Sequence, residues 1–147
     1  MNKRVAIQVE NDLAELERVS RLVDAFGAQH DLPRRVVFEL NLVLDEVLTN
    51  VMSYGYADTR QHQIIVRLSV MLEPHPAEVV IEVEDDGRPF DPTEAEVPAL
   101  DSPVEERPVG GLGIHLVRQL MDGLTYRRQQ GKNVLLLRRV IDDRRRL

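Results

Sequence analysis

The chain has no cysteine and no tryptophan among its 147 residues. Without cysteine it can build neither a disulfide framework nor a thiolate zinc site. Three Phe and three Tyr offer little surface for stacking bases. Nineteen basic residues against 25 acidic ones, a net charge of −6, argue against nucleic acid as the main ligand. The basic end "DDRRRL" is the local exception and reads as solvated. Long apolar runs are missing, and the opening "MNKRVAIQVEND" has no signal-peptide core, so a cytoplasmic protein away from the membrane is expected. His30, His62, His75 and His115 are scattered, with no metal-ligand spacing. The length is that of one ordinary domain, enough to bury a core without covalent or metal staples.

What is present is strong periodicity. "KRVAIQVE" alternates apolar and polar residues and predicts a strand. From Asn11 to about Gln29, Leu13, Leu16, Val19, Leu22, Val23 and Phe26 follow helical spacing, with Asn11 or Asp12 available to cap. Pro33 suits the first turn of a second helix, "PRRVVFELNLVLDEVLTNVMSYGY", expected to end between Ser53 and Gly55. "HQIIVRLSVML" and "AEVVIEVED" read as two strands joined through "EPHP". Residues 88–109 hold five of the eight prolines and no apolar period, which predicts a long loop of the kind that often serves as a lid. "GIHLVRQLMD" predicts a third helix, and "GLTYRRQQGKNVLLLRRV" a hairpin turning at Gln130-Gly131. The order β-α-α-β-β-loop-α-β-β is not the alternation of a doubly wound sheet. It implies a single α/β domain over residues 1–147, a two-layer sandwich in which three helices cover one face of a mixed, mostly antiparallel sheet.

Three stretches carry possible chemistry. On the second helix, at 100° per residue, the apolar arc runs from about −20° to 120° when Val36 is placed at zero. Glu46 falls near −80° and Asn50 near −40°, one turn apart on the same flank, with Ser53 near −100°. A solvated flank explains this placement, and so does a ligand. An amide oxygen suits Mg²⁺, and a nearby carboxylate can orient or deprotonate a hydroxyl. Asn41 and Asp45 read as solvent-side residues. In "EDDGRPFDP", Asp85, Asp86, Gly87 and Pro89 satisfy the needs of a turn, and the stretch alone does not say whether an aspartate also grips something. In "PVGGLGIHLVRQLMD", Gly110, Gly111 and Gly113 enter a helix whose first N–H groups and dipole suit an anion. A flexible hinge accounts for the glycines as well, and no Walker or Rossmann pattern is present.

In this order, Glu46-x-x-x-Asn50, Asp85-x-Gly87 and Gly111-x-Gly113 resemble the N, G1 and G2 boxes of the ATP-binding superfamily shared by gyrase, heat-shock chaperone, histidine kinase and mismatch-repair ATPases. The resemblance spans nearly the whole chain. "LDEVLTNVMSYGY", "DDGRPFDP" and "GGLGIHLVRQLMD" are most similar to the anti-sigma factor serine/threonine kinases. It implies the ATP-binding fold of that superfamily, with Mg-ATP held between the second and third helices under the 91–109 loop. It assigns Asp85 to the adenine amino group and Gly87 to close passage of the chain. Asn50 is implied as the Mg²⁺ ligand, and the N–H groups of Gly111, Leu112 and Gly113 as phosphate donors. Glu46 is implied as the general base, and Arg107 is the candidate for the γ-phosphate contact. It also implies a STAS-domain anti-anti-sigma partner phosphorylated on Ser or Thr, a sequestered sigma factor and a homodimer. One departure is clear: the second glycine of Asp-x-Gly-x-Gly is missing, and Pro89-Phe90 follows Arg88. A phosphoacceptor histidine of the histidine-kinase type is absent. Two other readings stand beside the kinase, a nucleotide-gated binding module without phosphotransfer and an ATPase-like fold with no ligand.

Overall fold

The computed structural model describes residues 4–58, 60–94 and 111–141. Strand β1 (Arg4–Glu10) leads through a 3₁₀ turn (Leu13–Glu15) into α1 (Leu16–Gln29), and α2 (Arg34–Tyr54) follows. Strands β2 (Gln63–Met71) and β3 (Glu78–Asp85) come next, then a second 3₁₀ turn (Pro92–Glu94), α3 (Gly111–Leu120), β4 (Gly123–Gln129) and β5 (Lys132–Val140). Asp12 caps the first 3₁₀ turn by accepting from the Ala14 N–H at 2.9 Å. Asn11 instead ties β1 to β2, its Oδ1 accepting from the His62 N–H at 2.9 Å. Pro33 stands at the N-cap of α2 with φ −55° and ψ 144°, one residue ahead of the first turn. The β4–β5 hairpin turns at Gln130 and Gly131, both at positive φ (52° and 75°), as a tight primed turn demands.

The sheet order is β1-β2-β3-β5-β4, and all four neighbouring pairs are antiparallel. The two-layer α/β sandwich expected from the sequence is present, but its sheet is antiparallel throughout rather than mixed. The path of the chain explains this. Two helices between β1 and β2 bring the chain back antiparallel to its start. Strands β3 and β4 do run the same way, but β5 lies between them.

The core lies between the helices and the inward rows of the sheet. Ile64, Val66, Leu68 and Val70 of β2, Val79, Ile81 and Val83 of β3, and Leu135 and Leu137 of β5 pack against Val23 and Phe26 of α1, Leu40, Val43, Leu44, Val47 and Leu48 of α2, and Val117 of α3. Each fully buried Leu, Ile or Phe side chain here contributes roughly 1.5–3 kcal/mol. The other sheet face is a lattice of ions: Arg67 pairs with Glu82 and Glu84, Lys132 with Glu84, and Arg127 with Glu82. Among the described residues, no helix is long and apolar enough to cross a membrane.

Candidate functional site

The alternation of β3 that buries Val79, Ile81 and Val83 brings Asp85 to the next inward position, at the strand's last residue. Only 6% of Asp85 is exposed. Its Oδ1 accepts from the Gly87 N–H at 2.8 Å and from Asn133 Nδ2 at 3.0 Å. Burial pushes this carboxyl above its ordinary value, and Asp86 adds to that push. The bonds from Asn133 and Gly87 and the Arg128 charge oppose it. Among the described residues no hydrogen bond reaches Oδ2, and Asp85 lines a cavity of about 340 Å³. Val47, Val51, Val83, Ile114 and Leu135 supply apolar walls. Asp86 is different: it is exposed, and its Oδ1 lies 3.2 Å from His62 Nδ1. The two aspartates therefore differ in setting: Asp85 is buried at the cavity and Asp86 is exposed.

Gly87 sits where two chain segments press together. A Cβ there would stand 2.5 Å from the Gly55 carbonyl oxygen and 2.9 Å from Asp85 Oδ1. Beside it, the Arg88 N–H donates to the Gly55 carbonyl at 2.7 Å, and the Arg88 guanidinium donates to the Tyr54 carbonyl. The turn after β3 is thereby fastened to the C-terminal end of α2.

On α2, Glu46 and Asn50 are half-buried, with Asn50 Nδ2 3.5 Å from Glu46 Oε1. This leaves the amide oxygen of Asn50 for another partner, and Asn50 lines the same cavity as Asp85. A Cβ on Gly113 would fall 1.4 Å from Glu46 Oε1, so the Glu46 carboxylate rests on the first turn of α3. Gly111, Leu112 and Gly113 open that helix, where the first N–H groups have no intrahelical partner. Together these elements bring Asn50 and Asp85 to one cavity and set Glu46 against Gly113 beside it. Residues 95–109 of the predicted loop, Arg107 among them, and Gly110 lie outside the described residues. At the loop's start, Arg118 of α3 donates to the Pro92 carbonyl at 3.0 Å and to the Thr93 carbonyl.

Among the described residues, no group of three or more His, Cys, Asp or Glu side chains could hold a metal. A divalent ion here would depend on the Asn50 oxygen together with waters and oxygens of a bound ligand. That donor set suits Mg²⁺, which takes few protein oxygens.

The sequence reading missed the β4–β5 side of the site. Asn133 pairs in register with Asp85 and bonds four groups. Its Nδ2 donates to Asp85 and, at 2.8 Å, to the Arg88 carbonyl. Its Oδ1 accepts from the Tyr126 hydroxyl at 2.5 Å and from Arg128 at 3.0 Å. Arg128 also donates to the Gly87 carbonyl at 2.8 Å. A signal was available: in "KNVLLLRRV" the inward row reads Asn133, Leu135, Leu137, Arg139, with a polar residue at each end.

The family model described as the histidine kinase-like ATPase domain matches residues 9–139. The serine/threonine-protein kinase BtrW of Bordetella bronchiseptica is 35% identical over 103 residues, which is 70% of each chain. Among solved structures, the RsbU and RsbW domains of a Mycobacterium tuberculosis protein superpose on 94% of this chain with a TM-score of 0.62 at 13% identity, and this chain spans 32% of that one. The blue-light activated histidine kinase of Erythrobacter litoralis shares the fold at a TM-score of 0.54 and 19% identity, over 91% of this chain and 43% of the other. The family expected from the order of the three boxes is thus borne out: this chain belongs to the histidine kinase-like ATPase domain family.

Proposed function

We propose that the chain is a single ATP-binding domain that transfers the γ-phosphate of ATP to a Ser or Thr of a STAS-domain partner, and that it binds a sigma factor as an anti-sigma kinase. The observation that carries this reading is Asp85, a buried carboxylate with one oxygen fully engaged and the other left for the cavity. Such an acceptor between apolar walls selects a base that brings an amino donor. Gly87 keeps the turn low enough for the base to pass. The N–H groups of Gly111, Leu112 and Gly113 would receive the phosphates, and the Asn50 oxygen would hold Mg²⁺. When bound, that ion neutralises charge on the transferring phosphoryl group. Glu46 would accept the proton of the substrate hydroxyl, held in place by its contact with Gly113. Arg107 would reach the γ-phosphate. A homodimer in the cytoplasm completes the proposal.

The adenine role predicts that Asp85→Asn stays folded and loses ATP affinity; unchanged affinity by calorimetry would sink it. Glu46→Ala should bind Mg-ATP normally yet fail to label a STAS domain with γ-phosphate. A second reading keeps ATP binding without transfer, as a nucleotide-gated binding module. It is favoured by one observation: Glu46 does not line the cavity. Equal labelling by wild type and Glu46→Ala would remove Glu46 from catalysis. Absence of any labelling by wild type, with ATP bound, would favour the gated module.

A further inference from the structure

Asn133 is a symmetric-looking amide in an asymmetric setting. Arg128 can only donate, and it bonds Asn133 Oδ1 at 3.0 Å, with the Tyr126 hydroxyl on the same oxygen. The Arg88 carbonyl can only accept, and with Asp85 Oδ1 it takes the two N–H groups of Nδ2 at 2.8 and 3.0 Å. Turning the amide over would face its oxygen to a carboxylate and a carbonyl, and its NH₂ to a guanidinium. The β4–β5 hairpin therefore dictates which end of Asn133 meets Asp85.

We propose that Asn133 is a specificity-positioning residue: by donating to Asp85 Oδ1 it reserves Oδ2 as a pure acceptor, so that the cavity takes a 6-amino purine and rejects a 6-oxo one. This rests on the reading of the cavity as a nucleotide site. A 6-oxo purine would bring a carbonyl oxygen against the Oδ2 acceptor and leave it unpaired. Asn133 thus sets base choice through Asp85. Arg128 supports it twice, through Asn133 Oδ1 and through the Gly87 carbonyl.

Two substitutions test this. Asn133→Asp sets a second carboxylate about where the amide stood, and two carboxyl groups that close share a proton. The shared proton lies between the two carboxyl groups at Asp85 Oδ1, so Asp85 loses much of the charge that makes Oδ2 a strong acceptor. Arg128→Met leaves Asn133 in place with its bonds to Asp85 and the Arg88 carbonyl and removes one of the groups that fix its orientation. Calorimetry would compare a non-hydrolysable ATP analogue with its inosine counterpart, both with Mg²⁺, and circular dichroism would confirm the fold. The expected result is a wild-type preference for the adenine ligand of about tenfold or more. Asn133→Asp should collapse most of that preference, and Arg128→Met should lower it by a smaller factor.

A pH profile adds a readout that a merely structural role would not move. Acidification should weaken adenine binding as Asp85 takes a proton, and Asn133→Leu should move that loss to higher pH. The charged or titratable groups acting on Asp85 are Asp86 on its own turn, Tyr56 beyond α2 and Arg128 on β4, with Arg88 and Tyr126 lining the same cavity. Asn133→Leu keeps all of these side chains but removes the bond that Tyr126 and Arg128 each make to Asn133 Oδ1. A wild type that binds both bases equally, or variants whose preference stays within about twofold of wild type, would overturn the proposal while leaving the nucleotide reading intact. A wild type that binds neither ligand would overturn the nucleotide reading itself. Should Asn133→Asp fail to fold, the preference of Arg128→Met decides.

Discussion

Replacing Gly113 by alanine should separate folding from phosphoryl transfer. A Cβ built on Gly113 stands 1.4 Å from Glu46 Oε1, 2.1 Å from Cδ and 2.6 Å from Cγ. Carbon and oxygen settle at roughly 3.4–4 Å, so the carboxylate must retreat by about 2 Å. The clash is with the far end of a flexible side chain, and a changed or strained rotamer costs about 0.5–1.5 kcal/mol. Alanine returns up to about 1 kcal/mol in the helix. The long contact from Asn50 at 3.5 Å contributes little. Net stability should therefore stay within about 1 kcal/mol of wild type.

The backbone N–H of residue 113 survives the change, so Mg-ATP should still bind. A general base, however, must come within about 2.6–3.2 Å of its proton, and its loss costs about 10²- to 10⁴-fold in rate. The assay is γ-phosphate labelling of a STAS domain beside a urea melt and an ATP titration. Gly113→Ala should melt near wild type, bind ATP and label poorly. Adding Glu46→Ala to it should cost almost nothing more, because the base has already been displaced. Wild-type labelling by a folded Gly113→Ala would refute the reasoning, since the base cannot keep its position with that Cβ present.

Elsewhere, Arg139 is fully buried on β5 and donates to Glu39 Oε1 at 3.0 Å, while Arg35 donates to Oε2 at 3.0 Å. Arg139→Met should cost about 3–5 kcal/mol by leaving a poorly compensated buried carboxylate, and Arg139→Met with Glu39→Leu should recover most of it. The urea midpoint at constant slope checks this. His62 stacks on Tyr56 with ring centroids 4.1 Å apart and is held above its usual 6.5 by Asp58 first, then Asp86. Because its folded pKa is raised, its stabilisation is complete below about 6.5 and lost as the pH rises through the folded value. Asp58, held below 3.8 by His62, loses its share only as the pH falls through that lower value. A proton NMR titration should show His62 raised and Asp58→Asn bringing it down; a His62 titration unmoved by Asp58→Asn would contradict the pairing.

Elements with a clean period could be read directly from the residues. The apolar arc of α2 comprises Val36, Val37, Leu40, Val43, Leu44, Val47, Leu48 and Val51, and all are buried except Val37 and Val51, which are half-buried. Gln130-Gly131 announced its turn because few residues other than glycine accept that backbone. Spacing alone left Glu46, Asn50, Asp85, Gly87 and Gly113 open to bland readings, and it was the resemblance of the three motifs in order that singled them out. The structure brings Asn50 and Asp85 to one cavity and sets Glu46 against Gly113. Partners set by non-local register were not found. Asn133 meets Asp85 across 48 residues and Arg139 meets Glu39 across 100, and no local period encodes which polar residue faces which. A mostly antiparallel sheet was expected, but that it is antiparallel throughout was hidden for the same reason: the placing of β5 between β3 and β4 is a property of the packed sheet, not of any segment.

Among the described residues two carboxylates are buried, and comparing them tells structure from site. Glu39, 4% exposed, and Asp85, 6% exposed, both meet the inward row of β5. Glu39 has each oxygen on a guanidinium and does not line the 340 Å³ cavity, so its bonding is complete without a ligand. Asp85 has both of its bonds on Oδ1, donated by neutral N–H groups. Burial raises its carboxyl, and the cavity opens beside it. A half-satisfied buried acceptor is costly to maintain, and the Asn133 and Arg128 network holds it in that state instead of letting it rotate onto nearby cations. A packed core has no use for such an arrangement, whereas a site that must recognise an amino group requires it.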